Sequence, residues 1–406
     1  MSAQDRTPVP RYRPFAGPAL FAHGFRPFFL LAGMWAPLAL IVFLAALQGL
    51  VALPSRFDPV AWHHHEMLHG FVAAAIAGFS LTAIPNWTGR LPLQGVPLMA
   101  LVGAWLAGRV AVACSALVGA WLAAALDLAF LTILVAFILR EIVAGRNWRN
   151  LPIVLAIALL LLANAVAHGE IMGLVSSHGL SQRLAVGIVV TLITLIGGRI
   201  IPSFTRNWLV KRGATALPKP FGTFDRAAIL ATVLACGLWA AKPSGVAAGL
   251  LAAAAVLNGL RLARWRGPAT GREPLLWVLH LGYAWIPLGL ALLAASHWWP
   301  AIPATGALHA LTAGAMGTMV LAVMSRATLG HTGRPLVAGA GLRAAYILVT
   351  LAALARLTAA LAPAHYSLLL DAAALAWVLA FVAYLAVCGP MLVARRAADK
   401  EMGRAD

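Results

Sequence analysis

The stretch "AWHHHEMLHGFVAAAIAGFSL", Ala61–Leu81, decides the fold class. Its second half has the small, apolar composition of a helix body inside a bilayer. Its first half sets four histidines and a glutamate at the entrance to that helix. Outward from it the same apolar character continues along the chain: 62% of the 406 residues are hydrophobic and only 10% are charged. Mean hydropathy is +0.88. Apolar runs of about 20 residues alternate with short basic links, and that length at 1.5 Å rise per residue crosses a hydrocarbon core of roughly 30 Å. The expectation is an all-α polytopic membrane protein with about twelve spans. They fall near 27–50, 62–86, 95–114, 116–141, 151–172, 182–204, 225–241, 244–263, 274–296, 304–327, 336–361 and 366–393. The whole of 1–406 reads as one membrane domain with short tails at 1–26 and 397–406. No link is long enough for a separate soluble domain.

Net charge is +18. Such a balance points to nucleic acid in a soluble domain, but basic loops also fix membrane orientation. Here the basic residues segregate. Arg6, Arg11, Arg13 and Arg26 precede the first span. Arg146 and Arg149, then Lys211, Arg212 and Lys219, then Arg261, Arg264, Arg266 and Arg272 occupy alternate links. The intervening links carry only Arg56, Arg183 and Lys242. Both termini are therefore expected in the cytoplasm, and nucleic acid binding is excluded. The polar, proline-rich first 26 residues lack the apolar core of a cleavable signal, so the first span is expected to direct insertion. Cys114, Cys236 and Cys388 sit alone in separate spans, which argues against disulfides and thiolate metal sites.

An internal repeat organises the spans. "HEMLHGFVAAAIAGFSLTAIPNWTGRLPL" from His65 lies without gaps over "HALTAGAMGTMVLAVMSRATLGHTGRPL" from His309, pairing His65 with His309, Gly70 with Gly314 and Arg90 with Arg334. The next spans end alike, with Arg109 and Arg356. A weaker copy, "IIPSFTRNW" from Ile200, echoes "AIPNWTGR" from Ala83. This reads as three four-helix pseudo-repeats, about 27–149, 150–272 and 273–396, in parallel orientation.

Nine of the twelve histidines fall at or near the outer ends of spans: His63, His64, His65, His69, His168, His178, His297, His309 and His365. At about 100° per residue, His65 and His69 share one helix face with Glu66 beside them, His63 points nearly opposite and His64 lies to the side. Interfacial histidines tolerate the headgroup region without binding anything. An i,i+4 imidazole pair also presents two nitrogens to one cavity. Small residues below His65 and His309 allow close helix packing, and equally leave room for a flat macrocycle. His65 and His309 are thus candidates for bis-imidazole ligation of one haem, held non-covalently because no CxxCH occurs. Arg109 and Arg356 are candidates for its propionates, or snorkel to the interface. Asp127 and Asp371, early in the fourth span of their units, read as ion-pair partners for arginine or as part of a proton path.

Several long motifs, in order, resemble one family: "HGFRPFF" (His23–Phe29), "WHHHEMLHGF" (Trp62–Phe71), "AGFSLTAIPNWTGRLPL" (Ala77–Leu93), "GGRIIPSFTRNW" (Gly197–Trp208) and "ALHALTAGAMGTMVLAVMSRATLGHTGRPL" (Ala307–Leu336). The chain resembles the NnrS family over nearly its whole length. That resemblance implies a bacterial inner-membrane protein linked to nitric oxide metabolism and nitrosative stress, containing b-type haem and copper. Imidazole suits both metals. If copper binds, its expected ligands are His63, His64, His69 and His168, with the metal site toward the periplasm. Three four-helix units are also reminiscent of the haem-copper oxidases at the level of architecture, which carries no function by itself.

The function expected first is nitric oxide detoxification, in its sharpest form reduction of NO to N2O by an oxidoreductase. Glu66 or Glu170 would deliver protons, and a quinol or cytochrome would supply electrons. The alternatives are a non-catalytic haem protein that binds NO, and a transporter or metal exporter built on internal repeats.

Overall fold

The computed structural model describes residues 15 and 17–395, so Arg6, Arg11, Arg13 and the tail at 397–406 lie outside the described residues. Among the described residues there is no strand, and twelve helices are long and apolar enough to cross a membrane. They are α1 Phe25–Leu47, α2 Pro59–Thr88, α3 Val96–Ala113, α4 Ala120–Ala144, α5 Trp148–Ile171, α6 Leu180–Val210, α7 Thr223–Ala241, α8 Gly245–Ala263, α9 Pro274–Trp298, α10 Ala304–His331, α11 Ala340–Leu361 and α12 Pro363–Val393. The chain is an integral multi-pass membrane protein, as the apolar periodicity implies.

Local chemistry sets the ends of the helix that matters most. Asp58 caps α2 by accepting from the N–H groups of Val60 and Ala61, both at 2.9 Å, with Pro59 preset for the first turn. Gly89, at φ +70°, closes it in the left-handed conformation that glycine adopts without strain.

Four helices form the interior. In their most apolar windows α2, α6, α9 and α10 bury 72%, 61%, 61% and 67% of residues, against 33% to 44% for the other eight. Among the surrounding helices the first and last meet, α1 packing on α12. Arg26 of the "HGFRPFF" motif is buried there and donates to the carbonyls of Leu392 at 2.8 Å and Ala394 at 2.6 Å. Trp377 Nε1 donates to the Ala36 carbonyl at 3.0 Å and completes the seam.

The two ends of the bundle differ. At one, the His331 ring lies tilted 5.5 Å from that of Phe25, Lys219 N–H meets the Arg264 carbonyl at 3.3 Å and Arg199 reaches Asn150; this end gathers the basic links. The other end carries His63, His64, His168 and His309.

α2 and α10 share a departure from α-helical geometry that nothing in the sequence announced. Directly after His65 the chain passes into π-helix over Glu66–Val72, and directly after His309 over Ala310–Gly317. Such i→i+5 segments are rare and gather at functional sites. The aligned glycines also behave alike: a Cβ on Gly70 would lie 2.6 Å from Trp35 Nε1, and one on Gly314 2.5 Å from Trp285 Cδ2. Each glycine seats a tryptophan from the helix before its own, within "WAPL" (35–38) and "WIPL" (285–288).

Candidate metal centre

The aspartate of α4 is the hub of a buried polar cluster built from five helices. Asp127 Oδ2 lies 3.0 Å from His168 Nε2, 3.1 Å from His65 Nε2 and 2.8 Å from Asn164 Nδ2. Asn164 and His168 are one turn apart on α5, so both side chains reach the same point. His65 Nε2 is also 2.8 Å from Asn164 Oδ1, while its Nδ1 is 3.0 Å from Glu66 Oε1. From α3, Arg109 Nη1 donates to Glu66 Oε1 at 2.7 Å and its Nη2 to Asp127 Oδ1. From α1, Trp35 Nε1 donates to Glu66 Oε2 at 2.9 Å. Glu66 and Asn164 are fully buried, and the other charged members are at most 3% exposed. Gly108 makes the approach of α3 to α4 possible, because a Cβ there would sit 3.0 Å from the Asp127 backbone.

The charges of this cluster close on themselves. Glu66 and Asp127 contribute two negative charges and Arg109 one positive. Both nitrogens of His65 face oxygen acceptors, and a ring donating from both is an imidazolium that supplies the second positive charge. Burying ions is tolerated only with such complete pairing.

The same geometry fits a metal ion. His65 Nε2, His168 Nε2 and an Asp127 oxygen lie within 4.8 Å of one another. A cation there would replace the shared protons, and Glu66 on His65 Nδ1 supplies the carboxylate backing that orients metal-binding imidazoles. The His69 ring lies 5.1 Å from that of His65, and its buried Nδ1 has no partner. Imidazole and carboxylate donors with no thiolate match copper(II) or zinc.

The opposite face of the same α2 turn opens on a cavity of about 450 Å³ between α1, α2, α6, α10, α11 and α12. His63, His64, His309, Arg356, Gln182 and Tyr366, with Thr305 and Thr312, give it polar groups within an otherwise apolar lining. That volume is within the range of cofactor sites, roughly 300–1,000 Å³. His309 Nδ1 donates to the Thr305 carbonyl at 2.7 Å, which leaves the lone pair on Nε2. His63 stacks on Phe43 with centroids 4.2 Å apart, and its buried Nδ1 has no partner. Arg356 Nη1 is likewise buried and unpartnered, whereas His64 Nε2 lies 3.2 Å from Gln182 Nε2. One imidazole with a preset tautomer, a second opening on the same space and an unneutralised guanidinium fit a haem and one of its propionates.

The expected site residues therefore divide between two places. His65 and His309 do not line one cavity, since both nitrogens of His65 are engaged by Glu66, Asp127 and Asn164. His309 is joined instead by His63 and His64, which the sequence reading placed with copper. His69 and His168 lie in the cluster with His65. Of the two arginines, Arg356 lines the cavity and Arg109 is committed to Glu66 and Asp127. Glu66 belongs to the cluster. Glu170 lies outside it, half-buried, accepting from Ser181 Oγ at 2.5 Å and from the Ser177 hydroxyl.

Asp127 as a possible ligand and Asn164 as its hydrogen-bond partner were missed, although both stand out as polar groups inside spans. Trp35 was missed as well; the repeated W-x-P-L was its only signal.

The family model described as NnrS protein matches residues 19–396. No curated protein matches the chain.

Proposed function

Because this chain belongs to the NnrS family, we propose that it is a haem and copper protein of the bacterial inner membrane that consumes nitric oxide. The overall reaction is 2 NO + 2 e⁻ + 2 H⁺ giving N2O and H2O, with a quinol or cytochrome as electron source. The observation that carries this reading is the division of α2 at one turn. His63 and His64 face the cavity that holds His309 and Arg356, while His65 and His69 face the Asp127–His168 cluster.

In this reading His309 would hold the haem with His63 opening on the same space, Arg356 would neutralise a propionate, and His65, His168, His69 and Asp127 would hold copper. Bound haem and copper would supply the one-electron redox chemistry that this reaction needs. The rest falls to the chain. A cavity with a largely apolar lining admits a small apolar gas without a polar channel. Glu66, fixed by Arg109 and Trp35, holds His65 Nδ1 and keeps its Nε2 aimed at Asp127. Glu170, two residues beyond His168 and hydrogen-bonded to Ser177 and Ser181, would pass protons inward in this reading. The metal sites face the periplasm.

The test is NO consumption, followed amperometrically with N2O quantified, by metallated protein supplied with a reductant. The expected result is one N2O per two NO, lost in His309→Ala. Stoichiometric NO uptake without N2O would replace turnover with a binding role. Copper uptake into proteoliposomes by a haem-free protein would favour transport.

A further inference from the structure

The basic end of the bundle holds a second cavity, of about 550 Å³, to which the reading above gives no role. α2, α6 and α10 present it with one shared register. Thr82, Arg199 and Arg326 line it, and so do Trp87, Phe204 and His331. Each triplet occupies equivalent positions when "AIPNWTGR" at Ala83 is laid on "IIPSFTRNW" at Ile200 and on the segment at Ala327. At the first of these positions two of the three helices carry arginine.

These arginines are not spent on acidic partners. The Arg326 guanidinium lies 4.2 Å from the Phe204 ring centroid, and Arg199 Nη1 donates to Asn150 Oδ1 at 3.3 Å. Among the described residues neither forms an ion pair, whereas Arg109 and Arg261 each meet a buried carboxylate. Glu273, whose field reaches Arg326, accepts from the Leu275 N–H at 3.3 Å in capping α9. Both arginines are half-buried and belong to membrane-spanning helices. Cations that form no ion pair are costly in such a setting and are candidates for ligand sites. Apart from Asn86 the remaining wall is aromatic and aliphatic, with Phe29, Phe79 and Trp87 beside Phe204.

We propose that this cavity binds an amphipathic anion, its phosphate held between Arg199 and Arg326 and its apolar body against Phe79, Trp87 and Phe204. Guanidinium recognises phosphate by paired charge-assisted hydrogen bonds. The phosphate can come from a phospholipid headgroup or from a soluble phosphate, and the two are separable.

The experiment uses the full chain in a neutral detergent. Its thermal unfolding is followed while inorganic phosphate, a short-chain phosphatidic acid or a short-chain phosphatidylcholine is added. Stabilisation by phosphatidic acid but not by phosphatidylcholine is expected, with inorganic phosphate weak; that pattern assigns a lipid source. Equal stabilisation by inorganic phosphate assigns a soluble one. Arg199→Gln and Arg326→Gln should each weaken the effect about tenfold or more, since each removes a hydrogen bond to a charged group. Arg326→Lys, which keeps the charge, should retain most of it. The proposal is overturned if neither phosphate probe stabilises the wild type, or if both glutamine variants respond as the wild type does. The wild-type titration stands even if a variant fails to fold.

Discussion

Asp127→Asn in the absence of metal tests the charge balance of the buried cluster. The substitution keeps the volume and one oxygen acceptor but removes the charge that faces Arg109, His65 and His168. One positive charge is then in excess, in a region at most 3% exposed. Removing one partner of a buried ion pair costs about 3–5 kcal/mol, because the other charge stays buried. Arg109→Gln should cost a similar amount by leaving Glu66 and Asp127 against a single positive His65. The double variant restores neutrality. Its loss should therefore fall short of the sum of the two single losses by about 2 kcal/mol, within the usual range for directly coupled sites. The assay is reversible unfolding in mixed detergent with SDS, read by tryptophan fluorescence on chelator-treated wild type and the three variants. Additivity within about 0.5 kcal/mol would refute the reasoning, since that is the behaviour of independent sites.

Other outcomes follow from the same geometry. His65→Ala and His168→Ala should each lower bound copper per chain, measured by elemental analysis, while His64→Ala leaves it near wild type. Arg356→Gln should release haem more readily during purification, seen as a lower ratio of haem absorbance to protein absorbance. Gly314→Ala should destabilise the chain by about 1–3 kcal/mol, the usual cost of overpacking, because its Cβ would meet Trp285 at 2.5 Å. Gly103→Ala, with nothing within 4 Å of the new carbon, is the neutral control in the same unfolding assay.

Span number, length and most boundaries were legible in the sequence because bilayer thickness leaves little freedom: the run read as 225–241 is the helix Thr223–Ala241. The direction of the histidines was legible too. A rotation of about 100° per residue puts His63 opposite His65, and the structure sends them to opposite faces of α2. What each histidine meets there was not legible. Asp127, Asn164 and Arg109 lie on three other helices, and no local periodicity reports which of them faces His65. The π-helical segments were hidden for a different reason: Glu66–Val72 and Ala310–Gly317 share no composition that sets them apart from α-helix. The alignment of His65 with His309 is real in sequence and in local geometry. Yet equivalent positions need not share a role, since Glu66 beside the first is replaced by Ala310 beside the second. That exchange removes the carboxylate that ties His65 into the cluster, and His309 turns to its own backbone at Thr305.

The central claim is a haem held by His309 beside a copper held by His65 and His168, acting on nitric oxide. Its most direct test is the optical spectrum of purified protein, oxidised and reduced, before and after NO, with iron and copper quantified. The account predicts b-type bands that shift with NO, are lost in His309→Ala and persist in His65→Ala. Haem-free protein from haem-replete cells, bands indifferent to NO, or bands lost in His65→Ala but kept in His309→Ala would contradict it.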